Sequence, residues 1–137
     1  MNFKKFPERK LRHFVSMPFI YGMIVPTVFL DATMEVYHRG AFPLYGIPRV
    51  KRSKYIKLDR QKLSYLKPLE KVNCVYCGYV NGLFAYAVQI AGETEKYWCG
   101  IKHEQNQNFL PPAHHNDFLE YGDEKGYKEI KTEELKE

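Results

Sequence analysis

The sequence predicts a mainly α-helical protein, with a small irregular α+β arrangement as the alternative. Three observations predict it. Residues 14–30 carry no charge at all, residues 78–92 form a second uncharged run with helical spacing, and two cysteine-containing pairs stand at the ends of that second run. At 137 residues the length fits one domain, divided here into four segments. These are a basic arm at 1–13, an apolar membrane-associated segment at 14–47, a basic zinc-site domain at 48–119 and an acidic tail at 120–137.

The arm MNFKKFPERKLRH holds five basic residues and one acid. It leads into FVSMPFIYGMIVPTVFL, seventeen uncharged positions that would span about 25 Å as a helix, the lower limit for crossing a bilayer. Pro18 suits a first helical turn, and Pro26 predicts a break near Gly22. Six basic residues follow the run (Arg39, Arg49, Lys51, Arg52, Lys54 and Lys57) against five before it, so neither flank has a clear excess. A spanning helix shows its Lys/Arg excess on one side, so this balance predicts a segment lying in the interface or re-entering by the same face. A buried helix of a soluble domain passes the same composition test.

Residues 40–50, GAFPLYGIPRV, predict a turn-rich connector, and the basic run after them a short strand or an amphipathic turn. In the second apolar run, Leu83, Tyr86, Ala87 and Ile90 recur at i, i+3, i+4 and i+7, the pattern of one buried helical face.

The sharpest chemical signal is Cys74-Val-Tyr-Cys77-Gly78, then twenty more residues, then Cys99-Gly-Ile-Lys-His103. A C-x2-C turn puts two thiolates on one side of a tight loop, and C-x3-H supplies two further ligands. Cys74, Cys77, Cys99 and His103 thus predict a closed Cys3His zinc site bracing the helix between them, with Gly78 giving the turn its backbone freedom. Iron, alone or in a cluster, accepts the same ligands. His114 and His115 are rival fourth ligands. Three cysteines, an odd number, argue against a disulfide framework, and no A-x-A-like cleavage site follows the first apolar run. Both point to the cytoplasmic side of a membrane.

Other constellations are weaker. Asp31, Glu35 and His38 share a helical face, and Glu35-Val-Tyr-His38 has the Glu-x-x-His spacing of di-metal bundles, without the further carboxylates such sites need. Residues 1–119 carry 17 Lys/Arg against 9 Asp/Glu, while 120–137 carry 4 against 7, so the body is basic and the end acidic. Arg49, Lys51, Arg52, Lys54 and Lys57, interleaved with Tyr55 and Ile56, predict a strip for lipid headgroups or another polyanion. Nucleic acid ranks below lipid because no helix-turn-helix, RNP or KH motif accompanies the strip. No nucleophile elbow, phosphate loop or dinucleotide fingerprint appears.

Taken together, FPLYGIPRVKRSKYI, NCVYCGYVNGLFAYA and TEKYWCGIKH resemble a family of small uncharacterised bacterial proteins. That family shares an apolar N-terminal segment and a C-x-Y-C-G-Y…Y-W-C…K-H core, and the resemblance covers roughly residues 14–103. It implies that the apolar segment, the basic strip and the cysteine site form one unit. It brings no activity with it.

The functional expectation is a non-catalytic accessory or scaffold protein, peripheral or monotopic at the cytoplasmic membrane face, binding a membrane-protein partner or anionic lipid. The competing classes are an iron-dependent redox or catalytic metalloprotein and a nucleic-acid-binding zinc module.

Overall fold

The structure, a computed structural model, describes residues 10–134. Most of the basic arm (1–9) and the last residues of the acidic tail (135–137) lie outside the described residues. The protein is mainly α-helical. Among the described residues there is no named strand, and one isolated bridge joins Ile101 to Leu119. The chain divides into two compact units, Met1–Phe84 and Ala85–Glu137.

In the first unit, α1 (Lys10–Gly22) and α2 (Ile24–Tyr45) follow each other with Met23 still at helical dihedrals, φ −63° and ψ −13°. Pro26 explains the break. It has no N–H to donate, and its ring excludes the carbonyl four residues back, that of Gly22. Pro18 departs from expectation: α1 starts at Lys10, so the proline sits inside the helix rather than in its first turn. The connector expected from residue 40 begins only at Gly46. There the chain turns left-handed (φ 71°), and Ile47 and Gly46 donate to the carbonyls of Phe42 and Pro43 at 3.2 Å each, a Schellman ending.

Residues 46–67 hold two short 3₁₀ turns, Arg52–Lys54 and Arg60–Lys62, and no strand. α3 (Pro68–Trp98) then runs for 31 residues across the boundary between the units. Pro68 occupies its first position, and the Glu70 carboxylate reaches back to the Lys67 N–H at 2.9 Å, half of a capping box. The C-x2-C turn predicted at Cys74–Gly78 is therefore helix. Its glycine serves close approach instead of loop freedom: a Cβ on Gly78 would lie 3.2 Å from the Lys57 carbonyl and the Leu58 side chain. One turn on, a Cβ on Gly82 would meet the Tyr55 carbonyl at 2.7 Å and Ile56 Cα at 2.8 Å. Gly78 and Gly82 thus form a recess in α3 that admits the backbone of residues 55–58.

Polar pairs fasten this unit. Arg52 forks onto both oxygens of Asp31 and also reaches Glu35 at 3.2 Å. Tyr79 on α3 donates to Asp31 Oδ2 at 2.7 Å, and Arg39 pairs with Glu35 at 2.9 Å. The Arg52 hydrogen bonds hold the Asp31 carboxyl below the usual carboxylate range, against the opposing effect of burial. His38 is buried, packs edge-on to Phe42 and accepts the Val50 N–H on Nε2 at 2.9 Å. The Glu-x-x-His pair therefore has structural partners on both members. Phe42 and Leu83 are fully buried, and Thr27 and His38 nearly so.

In the second unit, Tyr86 and Ile90 are buried on α3, which with Leu83 in the first unit matches the face read from the sequence. The helix ends where the Glu95 carbonyl accepts both the Cys99 N–H (2.8 Å) and the Gly100 N–H (3.0 Å), and Gly100 turns left-handed at φ 60°. Leu119 N–H to Gly100 O and Lys102 N–H to Leu119 O, each 2.8 Å, tie the outgoing chain to the returning one. A 3₁₀ segment, Ala113–Asp117, precedes that return, and α4 (Glu124–Glu134) follows it.

Candidate metal centre

Glu95, in the last turn of α3, is the hub of the second unit. Its Oε2 faces His114 Nε2 at 3.0 Å and its Oε1 faces His115 Nε2 at 3.1 Å. Both histidines come from the Ala113–Asp117 segment, which the prolines before it start in an extended backbone (Pro112 ψ 147°). The His114 hydrogen bond, aided by both rings' interaction with the carboxylate, holds Glu95 below the usual glutamate range.

The bridge between Ile101 and Leu119 delivers the remaining member. His103 stands two residues past it, its ring centroid 5.4 Å from that of His115. Each of Glu95, His103 and His115 offers a ligating atom, and the three atoms lie within 4.8 Å of one another. This group could hold a metal ion.

The rings are fixed from outside the group. Phe118, itself buried, stacks on His115 at 4.9 Å, and Phe109 lies edge-on to His103 at 5.4 Å. His114 rests on Gly92, where a Cβ would come within 2.8 Å of the ring, so this glycine is a seat for the imidazole. His115 is 2% exposed, and its Nδ1 is buried with no hydrogen-bond partner. An unsatisfied buried polar atom costs about 1–3 kcal/mol.

The predicted ligands are distributed differently. Cys74 and Cys77 lie one turn apart on α3 in the first unit, while Cys99 follows its last residue in the second. Cys77 and Cys99 are exposed, and Cys74 is half-buried. Of the four expected ligands, His103 is the one that belongs to the close group. His115, a rival ligand on sequence grounds, belongs to it as well. Glu95 was not among the candidates. Its signal is faint, since it is one of several charged residues in ETEK; only its position three residues after Gly92 on the same helical face distinguishes it.

The expected polyanion strip lies in the first unit. Arg49, Lys51, Lys54 and Lys57 are exposed, but the Arg52 guanidinium is directed to Asp31 and Glu35. The same unit carries the larger apolar surface. Two helical stretches, Leu11–Tyr45 and Pro68–Trp98, are long and apolar enough to cross a membrane by length and composition. The apolar window of the first is 6% buried and that of the second 28%. Both could associate with a membrane.

Compared with known proteins, the chain matches no family model, no curated protein and no solved structure.

Proposed function

We propose that this chain is a non-catalytic membrane-surface protein that seats α1 and α2 in the interfacial region of an anionic bilayer, with a zinc ion bracing its second unit. The observation that carries the reading is the exposure of the first two helices. Leu11, Phe14, Phe19, Val25, Phe29 and Val36 are all more than 70% exposed. The core helix of a soluble protein hides such side chains, and this many large apolar side chains so fully exposed on two consecutive helices favour an apolar environment around them. Asp31, Glu35 and Arg39 within α2, joined by Arg52, argue for a helix lying at the headgroup boundary rather than crossing the hydrocarbon. Arg49, Lys51, Lys54 and Lys57 supply cations near that boundary, each contributing about 1 kcal/mol near an anionic surface. The anionic leaflet is the cytoplasmic one, consistent with three free cysteines.

Zinc fits the donor set of one carboxylate and two imidazoles, and a metal there would tie the end of α3 to the two loop segments that carry His103 and His115. The same two-histidine, one-carboxylate set suits iron(II), which favours iron as the second reading for the metal.

Vesicle flotation of the full chain tests the membrane reading. Co-flotation with vesicles containing phosphatidylserine, persisting in high salt, is expected; a double variant Phe19→Glu, Phe29→Glu should remain at the bottom of the gradient. Wild-type protein that stays soluble beside the vesicles overturns it. Sedimentation abolished by nuclease and by salt alone replaces it with nucleic-acid binding. Metal analysis of the purified chain decides between zinc and iron.

A further inference from the structure

We infer that the group formed by Glu95, His103 and His115 is an open metal centre that takes a small anionic ligand, such as a carboxylate, from solution at its remaining coordination position. The inference rests on the reading that this group binds a metal, and adds what the metal does there.

The argument starts from donor count. Among the described residues, three side chains bring ligating atoms within 4.8 Å of one another, whereas zinc prefers four donors. Structural zinc sites fill all four positions from the protein, and sites with three protein ligands keep one for water or a substrate. His114 Nε2 occupies one lone pair of Glu95 Oε2 at 3.0 Å, which favours binding through Oε1 alone. That leaves Oε1, whose present partner is His115 Nε2 at 3.1 Å, and a cation between the two replaces this contact.

His115 forms the buried side of the centre. It is 2% exposed, and its Nδ1 lacks any partner although Phe118 stacks against the ring and fixes it. The nitrogen that faces Glu95 Oε1 is Nε2, so a cation between them takes Nε2, and the unpartnered Nδ1 is turned away from it. His103, in contrast, is exposed, so the centre has a buried side at His115 and a solvent-facing side at His103. The solvent-facing side is where an exogenous ligand enters. His114 does not belong to the group; by holding Glu95 Oε2 it positions the carboxylate, as outer hydrogen bonds do for metal ligands generally.

The test loads the full chain, in detergent or on vesicles, with cobalt(II) in place of zinc and follows its visible spectrum while sodium azide or acetate is added. One cobalt per chain, bands without a sulfur-to-cobalt charge-transfer feature, and a saturable band shift on adding the anion are expected. His103→Ala, an exposed position, should keep the helical circular dichroism and abolish the bands. His114→Ala should weaken cobalt binding about 10–100-fold. Bands that do not respond to anion show a closed centre and overturn the inference while leaving metal binding intact. A sulfur-to-cobalt band overturns the ligand assignment in favour of the cysteines. Absence of cobalt and zinc uptake overturns both the inference and the metal reading beneath it.

Discussion

The Arg52 guanidinium lies fork to fork against the Asp31 carboxylate, joining residues twenty-one positions apart. This pair ties the basic connector to the middle of α2, and Tyr79 brings α3 to the same carboxylate. Removing Arg52 leaves the half-buried Asp31 carboxylate with the Tyr79 hydroxyl but without its counter-charge, and removing Asp31 leaves Arg52 with the longer Glu35 contact at 3.2 Å. Arg52→Met or Asp31→Asn should each destabilise the protein by roughly 1–2 kcal/mol, discounted for the partial exposure of the arginine. Denaturant unfolding of both single variants and the double variant measures the coupling. Strictly additive effects would show that the pair contributes nothing as a pair.

His38 makes stability pH-dependent near neutrality. Burial holds its imidazole below the ordinary value of about 6.5, with the Glu35 charge opposing this next and Arg49 and then Arg39 reinforcing the depression. A depressed value means the folded state binds the proton less readily than the unfolded chain. The contribution is therefore complete above pH ~6.5 and is lost as the pH falls from there through the folded-state value. The thermal midpoint should drop in this window, and the ring proton signals of His38 should titrate below those of an unstructured histidine. Titration at or above the ordinary value contradicts the buried, accepting ring.

Two glycines should respond in opposite directions to the same substitution. Gly82→Ala places a methyl against the Tyr55 carbonyl and Ile56 Cα, both backbone, and should cost about 1–3 kcal/mol as overpacking does. Gly40→Ala in α2 meets nothing within 4 Å and should stabilise by up to about 1 kcal/mol through helix propensity. Urea titrations of the two variants distinguish them by sign.

Cys99→Ser should leave both folding and metal content unchanged, because the exposed thiol is not part of the close ligand group. Gly92→Ala should displace the His114 ring and lower metal affinity through Glu95. Metal stoichiometry by elemental analysis reads both. Loss of metal in the cysteine variant would restore the ligand set suggested by cysteine spacing.

What the sequence made legible was local. The break before α2 follows from Pro26 and its clash with the carbonyl four residues back. The face of Leu83, Tyr86 and Ile90 follows from helical periodicity, which acts between near neighbours. The extent of α3 was missed because C-x2-C followed by glycine reads as a turn, whereas Gly78 is small to admit the chain at Lys57 and Leu58. The Glu95, His103 and His115 group was only partly visible. Both histidines were candidates, but their meeting depends on the Ile101–Leu119 bridge, a contact eighteen residues long that no spacing rule encodes. Arg52 likewise read as one cation among five, since its partner Asp31 lies on a different element.

The recess at Gly78 and Gly82 bears on self-association. The stretch Gly78-Tyr-Val-Asn-Gly82 has the G-x-x-x-G spacing through which two helices in lipid bring their backbones into contact. Here residues 55–58 of the same chain already fill that notch. The protein thus covers this small-residue face internally. A helix pairing through that face would have to displace residues 55–58 first.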